Sequence, residues 1–115
     1  MNFAISKMNI FQKLKASLIY REAIRKADRA HNSDGGRYYV MPSAEGKLLI
    51  MDRKNFRIFK RKQYINSNAT VKDMLNECFY CTPYRNGTEA LPPLVVAIKR
   101  KQYFDWYQAT HRKKK

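Results

Sequence analysis

Acid is what this chain most lacks. Asp and Glu number 9 against 24 Lys and Arg, a formal net charge of +15. Self-repulsion on that scale disfavours a compact state unless a polyanion or an acidic surface relieves it. Nucleic acid is the first candidate for the counter-charge, followed by an anionic membrane or an acidic protein surface. Cysteine is nearly absent as well. Two residues are too few to staple a secreted scaffold and suit a reducing compartment. No apolar run approaches the roughly 20 residues of a spanning helix. The opening MNFAISKMNIFQKLK has no continuous apolar core and does not read as a signal peptide, so a cytoplasmic location is expected. Neither a G-x-x-x-x-G-K-S/T loop nor a G-x-G-x-x-G turn occurs, which leaves Gly35-Gly36 as a turn signal only.

What is present is enough apolar matter for one domain. Hydrophobic residues make up 44% of 115 residues, too many for a disordered polycation and sufficient for one modest core. Eight Tyr, six Phe and Trp106 supply side chains that fill a core or stack on a planar ligand.

Periodicity and punctuation predict α+β architecture: a two-stranded antiparallel hairpin packed against several helices, in the order α-β-β-α-α-α. Residues 1–9 read as a lead-in, 10–111 as one domain and 112–115 as a basic tail. Ala16, Ile19, Tyr20, Ala23, Ala27 and Ala30 recur at three- and four-residue spacing, predicting a helix from Ile10 to about Ala30 whose shallow stripe suits a close neighbour. The loop His31–Gly36 ends it. Arg37–Met41 and Lys47–Met51 flank a Gly-containing turn and read as a hairpin, one face of which needs helical cover.

Asp52 is placed to cap a helix over 53–62, and Thr70 to cap a short one from Val71 to about Phe79, with Val71, Met74, Leu75 and Cys78 inward. A last helix is expected to begin near Pro92 or Pro93, burying Leu94, Val95, Ile98, Trp106 and Ala109. The aromatic cluster Tyr103, Phe104, Trp106 and Tyr107 is expected to pack partly in the core.

The segment 53–62 carries the functional signal. Arg53, Lys54, Arg57, Lys60, Arg61 and Lys62 crowd ten residues, with Phe56 and Phe59 three apart among them. Rows of cations release counterions from a phosphate backbone, while the spacing of the two Phe is that of core anchors. Lys99, Arg100 and Lys101 and the tail are expected to extend the footprint. Other constellations are weaker. Cys78 and Cys81 form C-F-Y-C, which elsewhere is half a zinc site or a redox pair. Here no second pair exists, and His31 and His111 stand at no metal-binding spacing, so structural thiols are favoured over metal or redox chemistry. The two His have no nearby Ser, Cys or carboxylate pattern that makes a catalytic set. No enzyme activity, cofactor or metal is expected.

The run RYYVMPSAEGKLLIMDRKNFRIFKRKQYI, together with ECFYCTPYRNG, resembles uncharacterised small basic proteins encoded by gut anaerobes and their phages or mobile elements, over roughly residues 10–90. The resemblance implies a phage or mobile-element context and carries no catalytic or binding residues across. The sequence therefore points to a non-enzymatic protein that contacts DNA or RNA through mainly electrostatic phosphate contacts. The alternative is an interaction or assembly component whose basic surface docks an acidic protein.

Overall fold

A computed structural model describes residues 9–111. The expected lead-in, apart from Asn9, and the basic tail 112–115 lie outside the described residues. The elements run α1 (Ile10–Asp34), β1 (Tyr39–Pro42), β2 (Leu48–Met51), α2 (Arg53–Arg61), α3 (Val71–Glu77), β3 (Tyr80–Cys81) and α4 (Pro93–His111).

The α+β class and the hairpin hold, but the sheet has three strands. Their order is β2-β1-β3, with both pairings antiparallel. The third strand is two residues long and returns to the free side of β1, pairing Tyr39 with Cys81 and Val40 with Tyr80. Pro42, at the last position of β1, lies beyond the reach of β3, so its missing N–H interrupts no ladder on that side. Gly46 closes the hairpin turn at φ 78, with Gly46 N donating to Ser43 O and Ser43 N to Lys47 O.

Alternation along the strands sorts the core into two faces. Tyr39, Met41, Leu49, Met51 and Cys81 point towards α2 and α3, where they meet Phe56, Met74 and Cys78. Val40, Leu48, Ile50 and Tyr80 point the other way, onto Ala23 and Ala27 of α1. Helices thus cover both faces of the sheet rather than one, because each face presents apolar side chains. The alanines of α1 let it approach closely. Ala16 and Ala27 are fully buried, whereas Ile19 from the expected stripe is 37% exposed.

α1 runs a turn past the predicted end at Ala30. Gly35 then takes φ 78, its N–H donates to His31 O at 2.6 Å, and Arg85 Nη2 donates to Asp34 O at 2.8 Å. A Cβ on Gly35 would fall 2.8 Å from the Arg85 guanidinium. At the other end Asn9 and Gln12 form a reciprocal capping box.

α4 packs on α1 through a third cluster. Tyr20 and Tyr103 stack with centroids 4.6 Å apart, and Phe79 meets Tyr103 edge-on. Two of the hydroxyls buried here are satisfied by backbone: Tyr103 donates to Ala16 O at 2.6 Å and Tyr20 to Phe79 O at 2.8 Å. Removal from water pushes the Tyr20 phenol up to about 12. The buried face of α4 differs from the predicted stripe. It comprises Lys99, Tyr103 and Tyr107, four apart, while Leu94, Ile98 and Ala109 face outward.

Candidate nucleic-acid interface

α2 is built by its own ends. Asp52 Oδ1 accepts from Asn55 N at 2.9 Å, the predicted N-cap. The helix stops in a Schellman arrangement: Gln63 N donates to Lys60 O and Tyr64 N to Phe59 O, with Gln63 at φ 65. Phe59 and Tyr64 make the accompanying aromatic contact at 5.7 Å. Phe56 is buried and Phe59 half-buried in the cluster with Tyr39 and Met74, as the core-anchor assignment requires. The inner faces of α2 and α3 and the hairpin turn also line an open pocket of about 640 Å³, whose lining includes Met41, Phe56, Phe59, Tyr64 and Met74.

The cations of α2 divide. Arg53, Lys54, Arg57, Arg61 and Lys62 are exposed, and none forms a salt bridge among the described residues. Lys60 turns inward: its Nζ donates to Ala69 O at 2.7 Å and sits 5.5 Å from the centre of the Phe56 ring. Lys60 thereby ties the loop before α3 to α2.

The expected extension through α4 needs correction at Lys99. This residue is buried, 7% exposed, and its ammonium donates to Leu75 O at 2.9 Å and Cys78 O at 2.8 Å, the terminal carbonyls of α3. It caps a helix end and has no outward group for a phosphate. Arg100 and Lys101 are exposed. Arg100 stacks on Phe104 at 4.8 Å, and Lys101 pairs with Asp105 at 3.1 Å. They share no core cluster with α2, which belongs with α3, whereas α4 belongs with α1. Instead Arg100 and Lys101 line a groove of about 840 Å³ with Lys13 of α1, floored by Ile10, Leu14, Ala97 and Phe104. That groove was not legible in the sequence, because Lys13 and Arg100 lie far apart in the chain.

Four of the nine acids are spent on backbone and hydroxyl groups. Asp52 and Asp73 cap helices, and Asp34 accepts from Gly36 N and the Tyr38 hydroxyl. Asp28 accepts from the Tyr80 hydroxyl. Among the described residues the salt bridges are Arg25–Glu22 and Lys101–Asp105, both exposed. The chain matches no protein-family model, no curated protein and no solved structure.

Proposed function

We propose that this protein binds nucleic acid without catalysing a reaction, through phosphate contacts made by the outer face of α2. One observation carries this: Arg53, Lys54, Arg57 and Arg61 of α2 and Lys62 at its C-cap are exposed and make no salt bridge among the described residues, while the adjacent Asp52 is committed to the helix cap. Five unpaired cations on one short element present a strong positive potential, and a polyanion lowers that repulsion while releasing its own counterions. Arg100 and Lys101 form a second, smaller basic locus. Binding of short DNA and RNA oligonucleotides across a salt series tests the proposal. Affinity should fall steeply as salt rises, and an affinity that barely moves with salt would overturn it.

A protein-docking role, as an assembly component of a phage or mobile element, is favoured by a different surface. Phe11 is 78% exposed, and Ile10, Leu14 and Leu18 are exposed beside it on α1. Two of these floor the groove rimmed by Lys13, Arg100 and Lys101, a chemistry suited to an apolar segment with acidic flanks. Pull-down of one defined protein after nuclease treatment, lost on Leu14→Glu, would favour it over nucleic acid.

A further inference from the structure

Arg37 and Lys99 are the buried cations among the described residues, at 8% and 7% exposure, and neither has a carboxylate partner. One meets each end of the C-F-Y-C segment. Lys99 Nζ donates to Cys78 O. Arg37 Nε donates to Thr82 O at 2.9 Å, and its Nη2 donates to Glu89 O at 2.9 Å and to Cys81 Sγ at 3.2 Å. The guanidinium also lies over the Tyr84 ring at 4.4 Å and the Tyr39 ring at 5.7 Å. Taking a cation out of water costs several kcal/mol unless an opposite charge or good dipoles replace the lost hydration. Of the groups Arg37 touches, the Cys81 thiol is the one that ionises most readily, since burial moves the Tyr39 phenol upward.

The two thiols are free, buried and unequal. The Cys78 thiol donates to Leu75 O at 3.2 Å, and its neighbour Cys81 together with burial pushes it far above the usual thiol range. The neighbouring Cys78 thiol, with the Arg37 hydrogen bond and charge behind it, outweighs burial at Cys81 and draws it below that range. The groups facing the pair are Arg37 and Tyr39 from the β1 side, Tyr84 from the following loop, Lys99 from α4, Tyr20 from α1 and Tyr80 from β3. No helix or strand lies between Cys81 and Pro93. This segment comes over the pair through Glu89, held at φ 61 with its carbonyl on Arg37, and through Leu91, which packs on the cluster containing Cys81. Both thiols are buried, so reaction with a water-sized reagent requires local opening of this segment.

We propose that Cys78 and Cys81 are a reversible thiol–disulfide site in which the Cys81 sulfur, hydrogen-bonded by the Arg37 guanidinium, is the nucleophile towards hydrogen peroxide. The thiolate attacks one peroxide oxygen, the O–O bond breaks, and hydroxide leaves, giving a sulfenic acid at Cys81. The Cys78 sulfur then attacks the Cys81 sulfur. An S–S bond forms and the S–O bond breaks. The departing hydroxide takes the Cys78 proton as water, and the first hydroxide takes a proton from solvent. Two electrons pass from the thiols to the peroxide, which ends as two waters. A dithiol reductant reverses the change.

The full chain tests this directly. Ultraviolet thiolate absorbance is compared between wild type and Cys81→Ser over roughly pH 4 to pH 8. At neutral pH Cys81 should show a clear thiolate signal that Cys81→Ser loses, whereas an unperturbed thiol is only about 3% ionised there. Brief peroxide treatment should remove two hydrogens from the intact mass, and dithiothreitol should restore them. Cys78→Ser should instead leave a dimedone-reactive sulfenic acid at Cys81. Arg37→Gln should slow both reactions, and if that variant does not fold, the wild-type and cysteine variants decide alone. Absence of a thiolate signal below pH 8, or an unchanged mass after peroxide while circular dichroism shows folded protein, overturns the proposal. So does direct over-oxidation without a disulfide.

Discussion

Replacing Lys99 by Met separates a structural lysine from a phosphate-binding one. Its ammonium makes two charge-assisted hydrogen bonds to the last carbonyls of α3, and bonds of this kind contribute about 1.5–3 kcal/mol each. The loss is not the full sum. Leu75 O keeps a contact from Cys78 Sγ at 3.2 Å, so Cys78 O alone is left without its donor. Methionine fills the space of the lysine stem and removes the cost of burying a charge. The net destabilisation should be about 2 kcal/mol. With a urea m-value of about 1.3 kcal/mol per molar for a chain of this size, the midpoint falls by about 1.5 M. Trp106 fluorescence and far-ultraviolet circular dichroism should report the same transition. Arg57→Met, at an exposed position, should shift stability by less than about 0.5 kcal/mol. If Lys99→Met leaves the midpoint unchanged but weakens oligonucleotide binding as much as Arg57→Met, the cap assignment is wrong.

Three other substitutions probe the frame. Gln63→Gly should raise stability by about 0.5–1 kcal/mol in urea melts, since a non-glycine residue at φ 65 carries a left-handed cost that glycine avoids. Ala27→Leu should destabilise by about 3 kcal/mol or leave the chain unfolded by circular dichroism, because Ala27 of α1 is fully buried against Val40 of β1 and has no room for three more carbons. The Asp34 carboxylate is held below its usual range, first by the Tyr38 hydroxyl and then by Gly36 N–H. Its contribution is therefore present above the unfolded-state value, near pH 4, and disappears as pH falls through the lower folded-state value. Urea melts of wild type should accordingly lose more stability than those of Asp34→Asn on acidification below about pH 4.

Much of the frame was legible because its determinants are local. Asp52 and Thr70 each sit directly before a helix and make the cap bonds their chemistry suggests. The hairpin declared itself through Gly46, and the three-residue spacing of Phe56 and Phe59 marked the inward face of α2. The misses are non-local. β3 is two residues long, too short to show a period, and exists because Tyr80 and Cys81 find the open side of β1. Lys99 interrupts an apolar pattern and so reads as exposed, yet its burial is set by carbonyls more than twenty residues earlier in the chain. The same shift turned Leu94 and Ile98 outward and brought Tyr103 and Tyr107 in. Arg37 gave no signal beyond its place at the head of a strand, because all its side-chain partners come from residues 81–89 and the rings of Tyr39 and Tyr84.

The salt dependence of oligonucleotide binding by the triple variant Arg53→Gln, Arg57→Gln, Arg61→Gln, set beside wild type, tests the central claim most directly. Each lost phosphate contact on a duplex should reduce the slope of log affinity against log salt by about 0.9, so three should reduce it by roughly 2.7. Affinity at low salt should fall together with the slope, while the urea midpoint stays close to that of wild type. A triple variant that binds DNA and RNA with an unchanged slope would contradict a phosphate-contacting role for α2.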